Sequence, residues 1–176
     1  MLGKVLLIRH AEKSDDLGDE KLSLKGRERA GALAPYFYYT YSSISAIYAA
    51  GIGKHSPSHR PRSTVKPTAK KFKLSINDKH LKDDYAAMVD DVKSKAIKCS
   101  TFDVLICWEH TLLHNIAVLL GADAADVPAN WHGDRYDIIY LLDFDASGKC
   151  TFAQIPQKLL YGDQDSTLPL EQVYVK

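Results

Sequence analysis

Apolar positions along the chain fall into two patterns. Short continuous runs alternate with stretches where they recur every three or four residues. Lys4 to Ile8 ends in the run VLLI between polar flanks and reads as a strand buried on both faces. After a polar loop, Ser23 is placed to cap a helix beginning near Leu24, and Ala30, Leu33, Ala34 and Phe37 recur at helical spacing. Ser45 to Ala49 is a second strand candidate. Gly51 to His59, rich in Gly, Pro, Ser and His and including His55, reads as a loop. Ser63 to Phe72 reads as a helix in which Pro67 requires an earlier start or a kink.

Asp84 to Lys98 carries one apolar stripe, formed by Tyr85, Met88, Val89, Val92 and Ala96, and predicts a helix. Asp103 to Trp108 predicts a strand, and His110 to Leu120 a helix stopped by Gly121. Asp137 to Phe144 and Cys150 to Ile155 read as a hairpin turning at Ser147-Gly148. Beyond Tyr161 no period is visible. Strands alternating with helices define an α/β chain. The expected architecture is a three-layer αβα sandwich with a largely parallel central sheet, made mixed by the last hairpin. With 176 residues, no internal repeat and no long linker, a single domain spanning 1–176 is expected.

Charge narrows the function classes. The 23 basic and 22 acidic side chains give a net charge of +1, so the expected partners include neither nucleic acid nor a membrane surface. Any anion site must arise from local arrangement. The three cysteines, Cys99, Cys107 and Cys150, form no CxxC pair, which disfavours a disulfide framework or a cysteine zinc site. The apolar stretch Val5 to Ile8 is too short for a signal peptide or a spanning helix, and a cytoplasmic protein is expected.

Candidate chemistry lies where two strands end. The first runs into Arg9-His10-Ala11-Glu12-Lys13, and the Asp103 strand into Glu109-His110. In open α/β sheets ligands bind beyond the carboxyl ends of the strands, so parallel strands bring both histidines to one edge. An arginine fork binds phosphate oxygens, a neutral imidazole is a competent nucleophile near neutral pH, and a second imidazole can neutralise equatorial oxygens.

These residues and their order resemble the histidine phosphatase superfamily, the phosphoglycerate-mutase-like proteins. LLIRHAEK is similar to its Arg-His-Gly signature. RPRSTVKPTA resembles its second motif, in which an arginine precedes a threonine by four residues at a helix start. VLICWEHTLL resembles the strand that ends in its second histidine. LSLKGRERAGALAPYF and WHGDRYDIIYLLDFD look like its first helix and a late strand. The resemblance implies a phosphatase acting on phosphate monoesters or phosphoprotein groups without metal or other cofactor. His10 would be the nucleophile, Arg9, Arg60 and His110 would hold the phosphoryl oxygens, Thr64 would follow Arg60, and Arg62 would point elsewhere. It also keeps open mutase-type phosphoryl transfer and a phosphate-binding module that has lost its chemistry.

The sequence departs from the family pattern at Ala11, where glycine is usual, at Glu109, and at Thr111, where one branch carries a proton-donating aspartate. Glu109 and Asp83 are the leading donor candidates, with Glu12 and Asp84 behind them. Asp83 is equally explained as a helix cap, and Glu12 as a support beneath the site or a solvated carboxylate. His114, four residues after His110, lacks the partners of a metal site, and His59 is placed to border the pocket beside Arg60.

Overall fold

The computed structural model describes residues 1–16, 18–54 and 56–170; His55 therefore lies outside the described residues. Six strands form one sheet: β1 (Leu2–Arg9), β2 (Ile44–Ala49), β3 (Ile76–Asn77), β4 (Phe102–Trp108), β5 (Ile138–Phe144) and β6 (Cys150–Pro156). Their order is β3-β2-β4-β1-β5-β6. β3, β2, β4 and β1 are mutually parallel, and β5 and β6 add the antiparallel edge. The helices are α1 (Leu24–Thr40), α2 (Arg60–Phe72), α3 (Tyr85–Ile97) and α4 (Leu113–Leu120).

The continuous apolar runs are explained by burial on both sheet faces. Val5 and Leu7 of β1, with Val104, Ile106 and Trp108 of β4, pack against α3 and α4 through Met88, Val92, Ile116 and Ala117. The alternate residues, Leu6, Ile8, Leu105 and Cys107, pack against Leu33 and Phe37 of α1 and Val65 of α2. The α/β sandwich with a mixed, mostly parallel sheet is thus observed. No helix among the described residues is long and apolar enough to cross a membrane.

Local structure departs from the sequence reading at three places. α2 starts at Arg60 rather than Ser63, with Pro61 in its first turn, where a missing N–H costs nothing; Pro67 sits inside the helix. The turn from His110 to Leu112 is a 3-10 helix, and regular α-helix begins only at Leu113. β3 is two residues long, too short to leave a periodic signal.

Contacts fix the segment after β1. Ser23 caps α1, its Oγ accepting from Gly26 N at 3.0 Å. The Ser23 backbone N–H also donates to Glu12 O at 2.9 Å. α1 approaches so closely here that a Cβ on Gly26 would lie 2.3 Å from Glu12 O. The Glu12 carboxylate accepts from Arg29 of α1 at 2.8–3.0 Å, and Arg29 also binds Asp163 at 2.7 and 3.0 Å and Gln157 Oε1 at 2.9 Å. Glu12 thus ties the segment after β1 to α1, and it does not line the cavity described below.

Candidate active site

Strand register assembles the site. β1 and β4 pair in parallel with Arg9 opposite Trp108, and the His10 N–H donates to Trp108 O at 3.2 Å. His10 and Glu109-His110 consequently leave adjacent strands at the same edge. α2 delivers Arg60 from its first turn. Thr64, fully buried one turn later, accepts from Ala11 N at 2.9 Å and donates to Arg60 O at 2.8 Å, tying the two motifs together. Arg9, His10, Arg60, Glu109 and His110 all line one cavity of about 510 Å³ at this edge.

His10 is 7% exposed. Its Nδ1 lies 2.7 Å from the Ala11 carbonyl. A carbonyl only accepts, so Nδ1 carries the proton and Nε2 holds the lone pair. Burial lowers the pKa of His10 to about 4; the Ala11 carbonyl opposes this, while Arg9, Arg60 and His110 add to it. The ring is therefore neutral near pH 7, in the tautomer whose Nε2 carries the lone pair.

Arg9 is held by the loop before β5. One terminal nitrogen donates to the carbonyls of His132, Gly133 and Arg135 at 3.2, 2.9 and 3.0 Å, and the guanidinium stacks 3.8 Å from the centre of the Tyr136 ring. Arg60 donates to Asp19 O at 3.2 Å and lies 3.5 Å from Glu20. The Nε atoms of both arginines are buried without a partner among the described residues. Such donors suit phosphoryl oxygens.

Glu109 faces the cavity but is engaged. Its Oε1 lies 2.6 Å from His110 Nδ1, and Oε2 accepts from the N–H of Thr111 at 3.1 Å and from the Thr111 hydroxyl. Burial acts to raise its pKa, but the close His110 ring and the hydrogen bonds from Thr111 outweigh this and bring it to about 2. Glu109 thus stands as a carboxylate set against the His110 ring, although His110 Nδ1 makes no hydrogen bond of good geometry among the described residues. This weighs against its use as a proton donor. For Glu109→Gln we expect a loss of at most roughly tenfold, the scale of one charged contact, of similar size on p-nitrophenyl phosphate and on an alkyl phosphate. A much larger loss on the alkyl phosphate alone would restore the donor role.

The other acid candidates lie elsewhere. Asp83 pairs with Lys82 at 3.2 Å, and its side chain is 72% exposed. Asp84, not Asp83, closes the turn before α3, accepting from Leu81 N at 3.3 Å. Neither lines the cavity. Arg62 pairs with Asp78 at 2.7 Å, away from the site. His59 is exposed and does not line the cavity, although its neighbours Ser58 and Arg60 do. His114 approaches Pro128 O at 3.2 Å. Lys13, Lys82 and Glu20 line the cavity unforeseen. Lys13 and Glu20 sit in a polar loop whose charges look alike in sequence, and Lys82 stands in the charged run Lys82-Asp83-Asp84, where nothing in the sequence sets it apart.

No family model and no curated protein matches the sequence. Similarity lies in the fold. The protein histidine phosphatase SixA, solved with tungstate, superposes with a TM-score of 0.66 at 16% identity, covering 88% of this chain and 97% of its own. The phosphoglycerate mutase of Bacillus anthracis gives 0.61 at 12% identity, covering 87% and 92%. A mycobacterial glucosyl-3-phosphoglycerate phosphatase, solved with inorganic phosphate, gives 0.56 at 15% identity, covering 87% and 95%. All three are members of the histidine phosphatase superfamily, and this chain has their phosphoglycerate-mutase-like fold.

Proposed function

We propose that the chain is a metal-independent phosphatase of the histidine phosphatase superfamily, acting through a phosphohistidine intermediate on His10. The observation that carries this reading is the neutral His10, with Nε2 as its free ring nitrogen, in a cavity it shares with Arg9, Arg60 and His110. His10 Nε2 attacks phosphorus in line while Arg9, Arg60 and His110 hold the equatorial oxygens. The P–O or P–N bond to the leaving group breaks, and water then attacks the phosphohistidine to release phosphate.

The acids of the cavity refine the substrate class. Among the described residues Glu109 and Glu20 are the carboxylates that line it; Glu20 is paired with Arg60, and Glu109 is engaged by Thr111 and held well below the usual carboxylate range. Substrates whose leaving groups need little protonation are therefore favoured, and a phosphoprotein bearing phosphohistidine meets that condition. SixA, whose fold this chain shares, is a protein histidine phosphatase. Phosphorylated small molecules with good leaving groups fit the same chemistry.

Two results are expected with p-nitrophenyl phosphate. Turnover persists in EDTA and is inhibited by vanadate, whose five-coordinate form resembles the in-line transition state. Among the described residues no group of three or more His, Cys, Asp or Glu is arranged to hold a metal ion. Activity lost in EDTA and restored by zinc or magnesium would overturn the metal-independent reading. In the pH profile of kcat/KM, protonation of His10 removes the nucleophile. Its acid limb should therefore fall near pH 4, where His10 titrates, and not near 6.5. An acid limb at 6.5 contradicts this placement of the nucleophile.

A further inference from the structure

Beside the active-site cavity lies a second groove, of about 390 Å³, between the N-terminal turns of α1 and α2. Lys21, Arg27 and Lys66 line it with Ser63, and no acidic side chain among the described residues does. Both lysines are exposed, and neither ammonium has an ion-pair partner among the described residues. Arg27 spends one terminal nitrogen on Leu22 O at 3.0 Å. In a chain with a net charge of only +1, three cations around a groove that no described acidic side chain lines are a local concentration of charge.

The groove adjoins the catalytic cavity. Glu20 and Pro61 line the cavity, and Lys21 and Ser63 line the groove, so neighbouring positions of the same two segments form both walls. Lys66 lies six residues after Arg60 on α2, roughly 9 Å along the helix axis and about 120° round it, a path of roughly 13 Å over the helix surface. An extended peptide covers that path in about four residues. We propose that this groove is a substrate-docking site for an acidic segment of a phosphoprotein, carrying Asp or Glu two to four residues from the phosphorylated side chain. The proposal rests on the phosphatase reading above and narrows its substrate to a protein.

A small phosphorylated metabolite engaged at His10 has no chain to reach the groove, whereas a polypeptide does. The groove is also lined by Leu22, Ala30 and Pro67, which suits a peptide with apolar atoms between its carboxylates.

Fluorescence anisotropy with His10→Ala protein tests the site without turnover. Two labelled phosphoserine peptides would be compared, alike except for Asp/Glu or Ser/Ala at positions two to four from the phosphoserine on both sides. The acidic peptide should bind about tenfold more tightly, the combined effect of three exposed ion pairs, and the preference should shrink as salt rises. Lys21→Glu/Lys66→Glu should abolish the preference. In the otherwise unaltered protein, the same double substitution should leave p-nitrophenyl phosphate hydrolysis unchanged. Equal binding of the two peptides, or a preference that survives the double substitution, overturns the proposal. Tighter binding of a single-stranded oligonucleotide than of the acidic peptide also overturns it. Absence of p-nitrophenyl phosphate hydrolysis would instead contradict the phosphatase reading, and the peptide comparison would still decide the groove.

Discussion

His10→Ala is expected to lower turnover by on the order of 10³ or more while leaving the fold intact. The ring offers a free lone pair on Nε2 with no proton to lose first, because Nδ1 is committed to the Ala11 carbonyl. Its removal also relieves rather than creates an electrostatic problem, since a neutral ring leaves behind no unpaired charge. Arg9 and Arg60 keep their own partners among backbone carbonyls in the variant, so phosphate should still bind. The check pairs single-turnover rates with circular dichroism on the purified protein. A folded His10→Ala protein with undiminished turnover would mean that another group attacks phosphorus.

Arg29→Met is expected to destabilise the protein by about 3–5 kcal/mol at neutral pH, the usual cost of removing one partner from a buried ion cluster. Arg29 is 2% exposed and lies between Glu12 and Asp163, whose side chains are 12% and 3% exposed. Its loss strands two carboxylates in the interior. At roughly 2–4 °C per kcal/mol for a chain of this size, the melting temperature should fall by about 6–20 °C. The pH dependence carries a sign. Burial acts to raise the pKa of Asp163, but hydrogen bonds from Arg29 and from the Leu160 and Leu159 N–H groups lower it overall. A lowered carboxylate pKa stabilises the fold above the unfolded value near 4, and that contribution is lost as pH falls through the folded value. The gap between wild type and variant should therefore be widest at neutral pH and narrow below about pH 4. Thermal unfolding at several pH values tests this; a variant as stable as wild type at pH 7 would show the carboxylates to be solvated.

The same residues show what sequence can and cannot carry. The central strands were legible because burial on both faces writes an uninterrupted apolar run, as in VLLI and VLIC. His10 and His110 were legible because strand ends in parallel sheets converge, and the order of motifs singled out Arg60 over Arg62. The role of Glu109 was not legible. Position beside a pocket is visible in sequence, but the partners that set a carboxylate's proton are not. Glu12 was equally ambiguous, because its partner Arg29 is 17 residues away in the chain and Arg29's other carboxylate partner, Asp163, is 134 residues from Arg29. The carbonyl cradle around Arg9 is built from backbone atoms of His132, Gly133 and Arg135, which leave no side-chain signature at all.

Trapping the enzyme intermediate tests the central claim most directly. Rapid quenching during turnover of a phosphorylated substrate, followed by intact-mass and peptide mass spectrometry under alkaline conditions that preserve phosphoramidates, should show one added phosphoryl group. The account places it on His10 and requires its absence from His10→Ala protein. Steady turnover with no phosphoryl adduct at any time point, or an adduct carried by another residue, would contradict it.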